Sequence, residues 1–110
     1  MVIDSSAIVA ILRREDTSPA LARALEEDEL RLLGTPTRTE MSIVVQRSGL
    51  RDGVGALKDL LDELGVLDVP FDRGLADLAI EAHARWGRGN HPAKLNIGDC
   101  FTYAVAKHTG

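Results

Sequence analysis

The sequence predicts an α/β fold in which a parallel sheet lies between two layers of helices, a three-layer α/β/α sandwich. Short runs of strand-forming residues alternate with longer segments of helical periodicity, without an internal repeat. Strands that are separated by helices are joined by crossovers, so they run parallel and both faces of the sheet are covered. At 110 residues and 45% hydrophobic, the chain is expected to form one domain, 1–110.

The first half of the chain begins with "MVI", which is typical of a short buried strand. Ser5 and Ser6 are possible caps for a helix through "AIVAILRR", and Ser18 with Pro19 marks the start of a second helix, "TSPALARALEEDE". "RLLGT" is predicted to be the second strand. A third helix follows through "TRTEMSIVVQRSG", with apolar residues at helical spacing.

The second half repeats this alternation. A fourth helix is predicted over 53–64, and "GVLDVP" indicates a third strand. Asp72 is placed to cap the helix "RGLADLAIEAHARW", whose apolar positions recur with the helical period. After a loop over 87–97, "GDCFTYAVAKH" predicts the last helix.

Composition limits the classes of function. Seventeen Asp and Glu against thirteen Lys and Arg give a net charge of -4, so general basic character of the nucleic-acid-binding kind is absent from the sequence. A single cysteine forms no internal disulfide, which favours a reducing compartment. The apolar start is too short to span a membrane and contains Asp4. We therefore expect a cytoplasmic protein without a membrane partner.

Three acids are predicted to meet at one edge of the sheet. Asp4 ends the first strand, Glu40 lies in the helix after the second strand, and Asp99 begins the last helix. Ligands of open α/β sheets bind beyond the carboxyl ends of the strands, where the following helices begin. Together the three carboxylates would form an all-oxygen site, which suits Mg²⁺ or Mn²⁺.

Each of these acids also has a simpler structural role open to it. Asp4 and Asp99 are placed to cap helices, and Glu40 could be a solvated residue or a favourable partner for the helix dipole. Position relative to the sheet distinguishes them from the other acids, such as the run at 26–29. A phosphotransferase with Asp4 as nucleophile is disfavoured, because Ser6 stands where a general acid would be expected.

Three strings of the sequence resemble a known family. "VIDSSAIVAIL", "TPTRTE" and "GNHPAKLNIGDCFTYAVAKHTG" are similar to the PIN-domain ribonucleases, in particular to the VapC toxins of bacterial toxin-antitoxin pairs. The resemblance covers essentially the whole chain. It implies a Rossmann-like sheet, a divalent-metal site, endonucleolytic cleavage of RNA and inhibition by a cognate antitoxin.

By that resemblance, Asp4, Glu40 and Asp99 are the catalytic and metal-binding acids, and Ser5 and Asn96 are supporting polar residues. A Mg²⁺ ion held by carboxylates activates a water and stabilises charge on phosphoryl oxygens, so a side-chain nucleophile is not required. We expect direct ligation by Asp4 and Asp99, with Glu40 positioning a second metal or a water. The number of metals is open.

A local cationic segment is the candidate for holding RNA. Residues 82–98 contain no acid, while Arg85, Arg88 and Lys94 lie beside Trp86. Cationic side chains suit phosphate contact and an aromatic ring suits base stacking. Core packing is the competing role for Trp86, so Arg88 and Lys94 are the preferred substrate-binding residues.

The chain departs from the resembling toxins at its end. Those proteins continue into a further strand and a fourth acid, whereas this sequence stops at Gly110, so the domain is expected to lack its last strand. A fragment, a lost tail or a partner covering the edge would each account for this. Two functions therefore stay open, an endoribonuclease toxin and a non-catalytic PIN-like module that captures an antitoxin. The apolar helices of the first thirty residues further suggest a homodimer.

Overall fold

The structure, a computed structural model, describes residues 1–87, 89 and 92–110, and these contain six helices and two strands. Arg88, one of the predicted substrate-binding residues, lies outside the described residues. In chain order the elements are α1 (Ser5–Leu12), α2 (Ser18–Glu27), β1 (Leu32–Gly34), α3 (Thr35–Arg47), α4 (Gly53–Glu63), β2 (Leu67–Val69), α5 (Arg73–Trp86) and α6 (Ile97–Thr109).

The sheet is parallel, as predicted. β1 pairs with β2 in a register that places Leu32 opposite Leu67. On its other side β1 meets the N-terminal segment, where Ile3 N donates to Leu32 O and Leu32 N donates to Met1 O, both at 2.8 Å. The predicted first strand is thereby reduced to an isolated bridge at Val2, because α1 begins at Ser5 and leaves few residues to extend.

Two clusters of buried apolar side chains accompany the sheet. The first joins the N-terminal segment to α1, α2, β1, α3 and α4, and its buried members are Ile3, Ile8, Leu25, Leu33, Met41, Val45, Leu57, Leu61 and Leu64. The second lies between α5 and α6, with Leu75, Ala79, Ala82, Cys100 and Ala104 at its centre. The predicted α/β fold is therefore confirmed, with the apolar stripes of the helices turned inward.

Two details of the predicted helices are corrected. Ser5 and Ser6 are not caps, because both lie inside the first turn of α1 and the N-cap position belongs to Asp4. Val44, one of the apolar residues at helical spacing in the third helix, is 37% exposed, while Met41 and Val45 are buried. The helical period there was correct, but the stripe that faces the core is narrower than the sequence indicates.

The apolar residues of α1 do not form a free surface. Ile8 and Ala10 are buried, and the remaining apolar side chains of this helix pack against the first cluster. The large apolar side chains that stay exposed lie elsewhere, and on helices they are Ile43 and Val44 of α3, Val54 of α4, Ile80 of α5 and Ile97 of α6. None of the helices within the described ranges combines the length and apolar character that a membrane crossing requires.

Arg31 ties the ends of two helices to the start of β1. Its guanidinium donates to the backbone oxygens of Leu25 and Asp28 at the end of α2, and to that of Leu64 after α4. These carbonyls lie at helix C-termini, where the helix itself supplies no N–H donor for them. A planar fork of donors satisfies several such carbonyls at once, which a lysine ammonium does less well.

We expect Arg31→Met to lower the free energy of unfolding by about 1–3 kcal/mol, because it leaves several part-buried carbonyls without a donor. Chemical denaturation followed by circular dichroism measures the change. Arg38→Met is the matched control, since Arg38 makes an exposed ion pair with Asp68 at 3.2 Å and its loss should cost about 0–1 kcal/mol. Equal losses for the two variants would show that Arg31 does not tie the helices together.

Candidate metal centre

The parallel pairing places two predicted site segments at one edge of the sheet. Asp4 follows Ile3, whose backbone N–H bonds to Leu32, and β1 ends two residues later at Gly34. α1 and α3 start from this edge, because each helix begins directly where its strand segment stops. Residues in the first turns of the two helices are thereby brought together across a wide sequence separation.

Glu40 and Ser5 are in direct contact at this edge. The Ser5 hydroxyl donates to Glu40 Oε1 at 2.9 Å, and both side chains are half-buried. The bond joins the first turn of α1 to the second turn of α3. Ser5, predicted as a supporting polar residue, thus orients the least certain of the three predicted acids.

The Glu40 carboxylate also reaches the start of α6. A Cβ built on Gly98 would lie 2.9 Å from Glu40 Oε1 and 3.0 Å from its Cδ, and nearer still to Oε2. These separations mean that the carboxylate lies against the bare Cα of Gly98. Glu40 is therefore the acid that connects the beginning of α1 with the beginning of α6. Sequence reasoning missed Gly98, because a glycine in the first turn of a helix also occurs in α4 and α5 and does not by itself indicate close approach.

Asp4 does not act as a helix cap. It occupies the N-cap position of α1 with extended backbone, but its side chain makes no capping hydrogen bond. Instead Asp4 Oδ2 accepts a hydrogen bond of 2.6 Å from the Ser6 hydroxyl. The capping explanation for Asp4 is wrong in this structure, and the half-buried carboxylate is left available for another role.

Asp99 and Asn96 form a capping box at the start of α6. Asn96 Oδ1 accepts from Asp99 N at 2.8 Å, and Asp99 Oδ2 accepts from Asn96 N at 3.0 Å. Asp99 is therefore not the N-cap that was the structural role predicted for it, because Asn96 occupies that position and Asp99 completes the box from the third residue of the helix. One oxygen of Asp99 is used by the box, and the other stays free of hydrogen bonds within the described residues.

The chemistry of these donors fits a hard divalent cation. All of the donor atoms are oxygens, and three of the residues are carboxylates. Within residues 1–87, 89 and 92–110, no basic side chain pairs with Asp4, Glu40 or Asp99. A bound cation would neutralise the negative charge of these three carboxylates. The side chains are not gathered into a finished coordination shell, however, since the described residues contain no group of three or more His, Cys, Asp or Glu side chains that could hold a metal.

Of the residues predicted to bind RNA, some are exposed and others are engaged in contacts within the protein. Lys94 is exposed, with a left-handed backbone at φ 52°, and remains a candidate. Trp86 packs against the second core cluster and meets Tyr103 edge to face, with ring centroids 5.3 Å apart. Arg85 lies over the Trp86 ring and pairs with Glu81 at 3.1 Å. The core role of Trp86, which competed with base stacking, is the one that the structure supports.

A separate apolar groove of about 410 Å³ lies between α5 and α6. Its lining includes Ile80, Ile97, Phe101 and Cys100, and it contains none of the three acids. Burial raises the pKa of the Cys100 thiol, and the neighbouring Asp99 charge adds to this effect. Cys100 is therefore a packing residue rather than a nucleophile, since reactive cysteines need a lowered pKa.

Comparison with known proteins agrees with the α/β architecture. Residues 1–110 match the PIN domain, and the chain belongs to that family. It is 41% identical over 110 residues to "Ribonuclease VapC" of Mycolicibacterium smegmatis, which covers 100% of this chain and 85% of that protein. It is 43% identical over 109 residues to "Ribonuclease VapC28" of Mycobacterium tuberculosis, covering 96% of this chain and 80% of the relative.

The capping box generates a prediction about stability. We expect Asn96→Ala to lower the free energy of unfolding by about 1 kcal/mol, because the Asp99 backbone N–H loses its acceptor. Asn96→Asp should keep most of the stability, since a carboxylate accepts the same bond. Urea denaturation measures both variants. A loss for Asn96→Asp as large as that for Asn96→Ala would contradict a capping role for this side chain.

Proposed function

We propose that this protein is a divalent-metal-dependent endoribonuclease, the toxin of a toxin-antitoxin pair, with Asp4, Glu40 and Asp99 as its acidic site residues. The observation that carries the proposal is the contact of Glu40 with both Ser5 and Gly98, because it draws the starts of α1, α3 and α6 to one point. Family membership and relatives named as ribonucleases support the reaction class.

The site residues have different roles in the proposed reaction. Asp4 and Asp99 each offer a carboxylate oxygen that makes no hydrogen bond to any described residue, while Glu40 is oriented by the Ser5 hydroxyl. Mg²⁺, or Mn²⁺ in its place, would supply an activated water and neutralise charge on the phosphodiester when bound. Asn96 holds the first turn of α6 in place and thereby fixes where the Asp99 carboxylate points.

RNA is held in this proposal by local positive charge. Lys94 is exposed on the segment that precedes α6, two residues before the N-cap Asn96. A phosphate bound there would lie near the acidic edge, and Arg88 belongs to the same segment of the sequence. Because the salt dependence of binding grows with the number of phosphates that are neutralised, binding that depends on few cationic side chains should weaken only modestly as salt is added.

We expect Asp4→Asn and Asp99→Asn each to reduce Mg²⁺-dependent cleavage of a structured RNA by at least about 100-fold. The amide preserves the shape of each side chain and, at position 99, an oxygen that can accept the Asn96 N–H bond. The fold should therefore survive, which circular dichroism checks. Asp59→Asn is the matched control, because Asp59 is an exposed acid of α4 and its loss should leave cleavage unchanged.

A non-catalytic binding module is the alternative, and the lack of a finished metal shell among the described residues favours it. The same assay separates the two. Cleavage that requires Mg²⁺ and disappears in the Asp4→Asn variant supports the enzyme. Antitoxin binding without any metal-dependent cleavage, or cleavage that survives in both Asn variants, would return these acids to structural roles.

The partners of the proposed toxin are RNA, a cognate antitoxin and a second copy of the chain, and cytoplasm is the proposed compartment. Exposed apolar side chains on α3 to α6, Ile80 and Ile97 being the most exposed at 67% and 68%, leave surface for such contacts. We predict a homodimer in sedimentation velocity at micromolar concentration. A monomer throughout that range, in the absence of antitoxin, would contradict the dimer.

A further inference from the structure

Gly98 lies against a carboxylate that belongs to another helix. It is the second residue of α6, it is buried, and the space in which any other residue carries its Cβ is occupied by the Glu40 carboxylate. Glycine inside a helix normally costs stability relative to alanine, because its backbone loses more freedom on folding. At Gly98 the carboxylate provides a steric reason for accepting this cost.

The start of α6 also suits a negative charge. In its first turn the N–H groups of Asn96 and Asp99 are satisfied by the capping box. Those of Ile97 and Gly98 have no acceptor within the described residues, so their partial positive charge faces outward from the helix end. The Glu40 carboxylate lies against Gly98 in this first turn, and a negative charge near a helix N-terminus is favoured by the helix dipole.

A second glycine in the same helical position shows what is particular to Gly98. Gly74 is the second residue of α5, a helix that is likewise capped by a side chain, Asp72 accepting from Leu75 N at 3.0 Å. A Cβ on Gly74 would meet only Asp72 Oδ1, at an ordinary 3.4 Å. The two glycines therefore share their helical position and a side-chain cap. They differ because the Cβ position of Gly98 is filled by the carboxylate of another helix, whereas that of Gly74 is not.

We infer that Gly98 is a positioning residue for Glu40: its missing side chain makes the space that holds the carboxylate between Ser5 and the first turn of α6. The far end of a flexible side chain yields more easily than backbone, so Gly98→Ala should displace the carboxylate rather than unfold the protein. That this position of Glu40 serves metal binding rests on the function proposed above.

Calorimetric titration with Mn²⁺ on the full chain tests the functional part. Gly98→Ala should weaken Mn²⁺ binding by at least about tenfold, the usual effect of disturbing a group that orients a ligand. Gly74→Ala should change it by less than about twofold, because it perturbs an equivalent helix start away from the acids. In the Glu40→Asp background, whose shorter side chain leaves room for a methyl group, the effect of Gly98→Ala should fall below about threefold.

Melting temperatures test the steric part without any metal. Gly74→Ala should raise the melting temperature, and Gly98→Ala should raise it less or lower it. In the Glu40→Ala background the two alanine substitutions should become equivalent, since the clash is gone. Equal shifts for both in the presence of Glu40 would overturn the inference. Wild-type protein that binds no Mn²⁺ would overturn the proposed function instead, and the melting temperatures would still decide whether Gly98 positions Glu40.

Discussion

The parallel pairing of three very short backbone segments is the constraint on which the site depends. The N-terminal segment is held to β1 by a pair of 2.8 Å backbone hydrogen bonds, and β1 is held to β2 in turn. Since parallel segments end at the same edge, the helices that follow them start side by side. Ser5 and Glu40, thirty-five positions apart, can form a hydrogen bond only because this edge exists.

The start of α6 adds the third component. Its capping box uses one oxygen of Asp99, and the other makes no hydrogen bond to the part of the chain that the structure describes. Asp99 therefore stabilises the helix and keeps an oxygen for binding. Beside it, Gly98 admits the Glu40 carboxylate to the helix end. Anionic groups that would repel one another in isolation are thus stabilised by helix N-termini and by neighbouring hydroxyls, while their net charge still favours a cation.

Local sequence patterns predicted the fold well, because the apolar stripes of the helices recur with the helical period. Start signals were less reliable, since among the described helices only α5 and α6 have a side-chain cap. Asp72 caps α5 as predicted, and the parallel sheet follows from the alternation of strands and helices. Spacing could not reveal that the first strand shrinks to a bridge at Val2, since that depends on where α1 begins. The three acids were predicted as site residues from sheet topology and family resemblance. The role of Gly98 was missed, because it depends on a contact between residues fifty-eight positions apart that no local pattern encodes.

The central claim is that Asp4, Glu40 and Asp99 converge on a cation. Anomalous diffraction from crystals of the chain grown with Mn²⁺ tests it most directly, because it locates the ion without reference to activity. We expect one or two peaks bounded by oxygens of these three acids, directly or through water, with the Ser5 hydroxyl still donating to Glu40. An ion held by other acids, or no ion at this edge when Mn²⁺ is abundant, would contradict the account.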